Sequence, residues 1–201
     1  MKRVAFYLFI ASSTFCVGVF ACALKTKQPP ISPETREAEE YAVYSALING
    51  FHRQNDGKLL LIQNRTEVAY LYDGTGDEIR YVKDHMPPTT STETLDDFKS
   101  MGRQMNELDC RLAINNSYSF VAPDEKDHWF ATREAMQEFR RKYADSPRIT
   151  LLSRVGFNRS RDEALVYSWG YCGGDCGGGG YYLFRKENGR WIMKQEKTWI
   201  S

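Results

Sequence analysis

From Ile149 onward the apolar residues fall in short runs: Ile149–Phe157, Ala164–Trp169, Tyr181–Arg185 and Trp191–Trp199. Each is of strand length. Turn-forming residues separate them at Asn158–Asp162, at Cys172-Gly-Gly-Asp-Cys176-Gly-Gly-Gly-Gly180, and at Glu187-Asn188-Gly189. An Asn-Gly pair between two such runs is a strong hairpin signal, because both residues tolerate the positive φ of a tight turn. The pattern predicts an antiparallel meander of four strands.

Upstream the period changes. Ala38, Tyr41, Ala42, Tyr44, Leu47 and Ile48 share a broad apolar face at helical spacing. Ser32-Pro33-Glu34 supplies a capping hydroxyl, a proline at the first helical position and an acid near the positive end of the helix dipole. Gly50 reads as a stop. A helix over residues 33–49 follows.

Lys58–Gln63 and Glu67–Tyr72 read as strands, Asp73–Asp77 as a turn, and Ile79–Lys83 as a further strand. After a loop over Met86–Ser91, Thr92 caps a helix to about Glu107. Leu95, Phe98, Met101 or Gly102, Met105 and Leu108 face inward on it, and Gly102 weakens it by ~1 kcal/mol relative to Ala. Tyr118–Ala122 reads as a strand. Trp129–Tyr143 reads as a third helix with Ala135, Met136 and Phe139 inward, ended by Pro147. The expectation is a single α+β domain over residues 33–201, with a mostly antiparallel sheet whose C-terminal four-stranded meander is packed by about three helices.

The N-terminus breaks this pattern. Lys2 and Arg3 precede 21 uncharged residues, Val4–Leu24. Residues 1–24 read as a targeting segment and 25–32, with Pro29-Pro30, as a linker. Val19-Phe20-Ala21-Cys22 resembles a bacterial lipobox, which makes Cys22 a candidate lipidation site. Ala21-Cys22-Ala23 resembles a signal-peptidase site. A third reading is an uncleaved anchor, since ~20 apolar residues span a bilayer as a helix. All three place the domain outside the cytoplasm: a lipid or an N-terminal anchor would be its contact to the membrane, and signal-peptidase cleavage would release it as a soluble protein. Composition adds an exclusion: the net charge is +1, and removal of Lys2 and Arg3 takes it to −1. That balance does not favour nucleic acid as a partner. The short basic cluster Arg140–Lys142 reads as the solvated end of a helix.

An extracytoplasmic setting permits disulfides. Cys110, Cys172 and Cys176 remain outside the targeting segment. The leading reading is a structural Cys172–Cys176 disulfide, whose tight ring requires the unusual backbone angles that Gly173 and Gly174 supply. A redox-active pair fits less well, because such pairs are normally C-x-x-C at a helix start. Zinc needs two more ligands, with Cys110 and His128 the only candidates. Trp169, Tyr171, Tyr181 and Tyr182 bracket the loop, and Gly177 and Gly178 leave backbone N–H groups uncovered. Together these form a candidate binding loop for a small ligand or an envelope protein if the aromatics are exposed. The plainer alternative is core aromatics beside a flexible β-connection.

Other motifs point to no cofactor or metal. Gly177–Gly180 lacks the Lys-Ser/Thr of a phosphate loop and the strand–helix setting of a dinucleotide fingerprint. Asp73-x-Thr75-x-Asp77 lacks the glycine and the closing glutamate of a calcium loop. Asp124, Glu125, Asp127 and His128 read as a surface loop, and Asp96-Asp97 as acids favoured in a first helical turn. No catalytic residue is assigned.

One set of residues goes further. Ser153-Arg154-Val155-Gly156-Phe157-Asn158, Ala164-Leu165-Val166-Tyr167, Cys172, Cys176-Gly177, Gly180-Tyr181-Tyr182-Leu183, Lys186, Gly189-Arg190-Trp191 and Trp199-Ile200-Ser201 resemble the C-terminal signature of a family of uncharacterised bacterial envelope proteins. Glu40-Tyr41-Ala42-Val43-Tyr44 and Leu95-Asp96-Asp97-Phe98 resemble its earlier landmarks. The resemblance implies a bacterial envelope location and no particular reaction. The expected function is a non-enzymatic binding or structural lipoprotein. The alternative is an envelope hydrolase or thiol-redox enzyme with a site near Cys172–Cys176.

Overall fold

The computed structural model describes residues 36–51, 58–68, 86–146, 148–174 and 176–200. The expected linker, the residues at Ser32–Glu34, the turn at Asp73–Asp77 and the strand at Ile79–Lys83 lie outside these. So do most of Glu67–Tyr72, Cys22, His52 and His85.

The fold is α+β, with a seven-stranded, mostly antiparallel sheet and four helices among the described residues. Helix α1 spans Arg36–Phe51, β1 Leu60–Gln63, α2 Thr92–Met101, β2 Tyr118–Val121, α3 Pro123–Phe130 and α4 Arg133–Lys142. Then follow β3 (Ile149–Leu152), β4 (Gly156–Phe157), β5 (Glu163–Tyr171), β6 (Gly177–Glu187) and β7 (Arg190–Ile200). The sheet order is β2-β1-β3-β5-β6-β7, with β4 also paired to β5.

The C-terminal meander forms as expected. The first run bends, so that β3 pairs with Ser168–Tyr171 and β4 with Ala164–Leu165 of the same long strand. The β6–β7 hairpin turns on Asn188 (φ 50°) and Gly189 (φ 76°), the positive pair its sequence predicts. The other half of the sheet is parallel: β1 runs parallel to both β2 and β3.

All three expected helices differ in their boundaries from the sequence reading. Helix α2 is capped by Ser91, whose Oγ accepts from the Thr94 N–H at 3.3 Å. It ends at Met101, not near Glu107, because the chain beyond it is taken up by β-type bonds. Thr66 N–H donates to the Asn106 carbonyl at 2.9 Å and Leu108 N–H to the Asn64 carbonyl at 2.6 Å. Met105, expected inward, is accordingly 53 % exposed. The expected helix Trp129–Tyr143 is two helices. Thr132 caps the second, accepting from Ala135 N–H at 3.1 Å, while Pro123 opens the first. Finally, α1 continues through Gly50 to Phe51, with Ala42 exposed and Val43 buried in its place.

Strand alternation sorts the core into two layers. Leu60, Ile62, Leu152, Ala164, Val166, Tyr182 and Phe184 meet Tyr41, Tyr44, Leu47 and Ile48 of α1 on one face. On the other, Leu165, Tyr167 and Tyr181 meet Phe98 of α2, while Leu61, Val121, Ile149 and Leu151 meet Trp129 and Phe139 of α3 and α4. Trp169 packs against both of these groups, between α2 and the α3–α4 pair.

Candidate functional site

The Cys172–Cys176 loop joins β5 to β6 at one end of the sheet. The disulfide is closed, with Cα atoms 5.2 Å apart. Cys172 N–H donates to the Cys176 carbonyl at 3.2 Å, and Cys176 N–H to the Gly173 carbonyl at 3.1 Å. Gly173 and Gly174 take φ of 88° and 58°, as the short ring requires. A Cβ on Gly173 would lie 2.5 Å from Phe130 Cδ1 and 3.2 Å from Met136 Cε, so the loop is seated against α3 and α4. Cys172 is buried and Cys176 exposed. Cys110 pairs with neither, and with both sulfurs bonded the loop offers zinc no thiolate. Among the described residues no group of His, Cys, Asp and Glu side chains is placed to hold a metal ion.

The four glycines are not a flexible connection. Gly177–Gly180 form the start of β6, paired on one side with Tyr171–Ser168 and, from Gly178, on the other with Ile200–Thr198. Glycine is required at Gly177 by the Trp169 ring, at Gly179 by the backbone of Ser168 and Trp169, and at Gly180 by the backbone of Lys197 and Thr198. A Cβ on Gly177 would come within 2.6 Å of Trp169 Cζ2, and one on Gly179 within 2.8 Å of the Trp169 Cα.

The expected aromatic quartet divides. Tyr181 and Tyr182 are 0 % and 4 % exposed and point to opposite faces, Tyr181 against Phe98 and Tyr182 into the α1 core. They belong to the core and cannot form a platform with the others. Trp169 and Tyr171 are half-buried on one face. The Tyr171 ring meets Phe130 edge-on at 4.8 Å, and Lys126 Nζ sits 5.9 Å from its centroid.

Lys126 also pairs with Glu67 at 3.3 Å, and Glu67 accepts from Gln63 Nε2 at 2.8 Å. Gln63 Nε2 donates to the Arg65 carbonyl as well, at 2.7 Å. These residues stand at the carboxyl ends of the parallel strands, where α/β sheets collect polar groups. No motif marks them in the sequence. Their placement depends on Glu67 bridging in parallel to Ser153, which forces Asn64–Thr66 to bulge from the β1–β3 ladder.

Elsewhere, a charged clasp forms under α1. The Glu40 carboxylate accepts from Arg154 Nε at 3.0 Å and Nη2 at 2.9 Å, and from Arg36 Nε at 3.2 Å. Arg36 reaches on to Asp97 at 2.8 Å and to the Val155 carbonyl at 2.6 Å. Asp97 in turn accepts from Phe157 N–H at 2.7 Å. Glu39 takes Lys186 and the Trp191 indole N–H, the latter at 2.9 Å. The Tyr44 hydroxyl donates to the Ser153 carbonyl at 2.9 Å. Burial, with the Glu40 charge beside it, pushes the Tyr44 phenol well above its ordinary pKa and keeps it a donor. The clasp ties α1, α2 and the β3–β4 bend together with each carboxylate matched to a cation. Asp97, read from the sequence only as a helix-end charge, is one of its links.

Glu163 makes a second long-range tie. Its carboxylate accepts from Ser91 N–H at 2.8 Å and Thr94 Oγ1 at 2.9 Å, at the amino end of α2. Arg185 adds a contact at 3.2 Å. Burial alone would raise its pKa, but the bonds from Ser91, Thr94 and Arg185 outweigh that and hold it below the usual 4.5. A depressed folded pKa stabilises fully above the unfolded value, and that part is lost as pH falls through the folded one. Glu163→Gln is therefore expected to lower stability at pH 7 and to flatten the loss of stability below about pH 4.5. Urea titrations at pH 7, 5, 4 and 3 check this. Parallel pH profiles for the variant and the parent would refute it.

His128 lies exposed on α3, its ring 5.9 Å from that of Trp129, and Trp129 Nε1 donates to Glu125 at 3.2 Å. The Asp124–His128 stretch is thus the first turns of a helix rather than a loop. Lys142, in the last turn of α4, covers Trp129 at 5.1 Å. No protein-family model matches the chain, and neither a curated protein nor a solved structure is significantly similar to it.

Proposed function

We propose that this chain is an extracytoplasmic bacterial lipoprotein, held at the membrane through Cys22, whose domain binds rather than transforms its partner. The observation that carries the binding reading is the half-buried pair Trp169–Tyr171, set between two helical packings beside the disulfide loop. Large aromatics that keep part of their surface accessible on a rigid strand suit recognition. The closed Cys172–Cys176 ring supports an oxidising compartment. Both sulfurs are bonded to each other, and the buried carboxylates Glu39, Glu40 and Glu163 are matched to cations and N–H groups. The chemistry an enzyme would use is here employed in holding elements together. Trp169, Tyr171, Lys126 and Glu67 would contact a small ligand or an envelope protein.

Two measurements test this. Mass spectrometry of protein extracted from membranes should find diacylglycerol on Cys22 as the N-terminal residue. A chain retaining residues 1–21 with unmodified Cys22 would sink the lipoprotein reading. Hydroxyl-radical footprinting should show Trp169 and Tyr171 several-fold less oxidised in intact envelopes than in the purified protein, with Ile192 unchanged. Equal oxidation in both settings would sink the binding reading.

A further inference from the structure

We propose that Cys176 is a thiol-exchange site, the sulfur through which an external dithiol opens the ring, and that opening it releases the loop from α3 and α4. Displacement at a disulfide is in line: the attacking thiolate approaches one sulfur from the side opposite the other. The two ends of this ring differ. Cys176 is exposed, and its neighbour in the turn, Gly174, is exposed with open space where a Cβ would stand. Cys172 is buried at the end of β5, preceding a glycine already pressed on Phe130 and Met136. An attacker at Cys172 would have to come through that packing, whereas Cys176 is approached from solvent. Access selects the sulfur.

A thiolate of the dithiol bonds to Cys176 Sγ, and the Cys172–Cys176 bond breaks. Cys172 leaves as a thiolate and takes a proton from water. The second thiol of the reagent, deprotonated, then attacks its own sulfur in the mixed disulfide. Cys176 is released as a thiol and the reagent becomes a cyclic disulfide. Two electrons pass from the dithiol to the protein.

The consequence is local. The ring is what holds Gly173 and Gly174 at positive φ, and Gly173 at that angle sits against Phe130 and Met136. Phe130 also supports Tyr171. With the ring open, the glycines regain their freedom and the loop no longer braces the α3–α4 pair.

The test uses the intact protein in two arms. In the first, the oxidised protein is exposed briefly to excess glutathione, a monothiol that leaves the mixed disulfide in place. The reaction is quenched in acid, and the peptide spanning residues 172–176 is sequenced by tandem mass spectrometry. At least about tenfold more adduct on Cys176 than on Cys172 is expected where access decides. Equal labelling, a preference for Cys172, or no adduct overturns the assignment. In the second arm, amide exchange is compared before and after reduction by dithiothreitol. Exchange over 128–142 should rise by about tenfold or more while that of 40–48 in α1 is unchanged. No change over 128–142, or an equal rise in both segments, overturns the release.

Discussion

Replacing Arg154 with alanine is expected to destabilise the domain by about 3–5 kcal/mol, the range for removing one partner of a buried ion pair. The side chains of Arg154 and Glu40 are 10 % and 3 % exposed. Without the guanidinium, Glu40 keeps among the described residues only Arg36 as a cation, and Arg36 is shared with Asp97 and the Val155 carbonyl. A carboxylate left nearly alone in that position faces the full desolvation penalty. The effect lies in the broken pairing, since a buried pair as a whole is often no better than a well-packed apolar one. The double substitution Glu40→Leu with Arg154→Met should therefore recover most of the loss. Urea unfolding of the parent, the single variant and the double variant checks both expectations. A single variant within about 1 kcal/mol of the parent, the scale of an exposed pair, would show that the clasp is solvated in solution.

The clasp also shows where sequence reading stops. Helix α1, strand β1, the meander, the Asn188-Gly189 turn and the disulfide are all local or nearly so, and each leaves a pattern within about ten residues. The break between α3 and α4 was legible too: Pro123 followed by Asp124-Glu125 is a helix start, and Thr132 is a capping residue. The unbroken apolar spacing of Trp129 to Tyr143 hid it. The parallel pairing of β1 with β2 and β3 has no such trace, because a four-residue strand carries no sign of direction. The Arg154–Glu40 contact spans 114 positions, and neither residue sits in a local pattern that predicts burial. The aromatic loop residues were legible as a group but not in their division. Adjacent strand residues face opposite ways, so Tyr181 and Tyr182 could never share a face, and strand period alone implies this once β6 is extended back to Gly177.

Gly156→Ala is expected to cost more than an ordinary overpacking change of about 1–3 kcal/mol. Its position in β4 lies directly against α2. A Cβ built there would stand 2.5 Å from both the Phe98 Cα and N, so the clash is with backbone and no side-chain rotation relieves it. Phe98 is fully buried and its ring meets Tyr181 edge-on at 5.9 Å, which ties α2 to β6. Moving α2 away to admit one methyl group would strain that contact and the two links beside it, Asp97 to Arg36 and Asp97 to Phe157 N–H. Gly156 therefore sets the distance at which the clasp closes. Its φ is not among the positive values of the chain, so the requirement comes from close approach and not from backbone angle. Two observations on the variant check this account. Thermal unfolding should shift down by many degrees, and amide exchange in 92–101 should rise well before that in β6. A variant that folds with parental stability and unchanged α2 protection would mean that α2 stands farther from β4 than the structure places it.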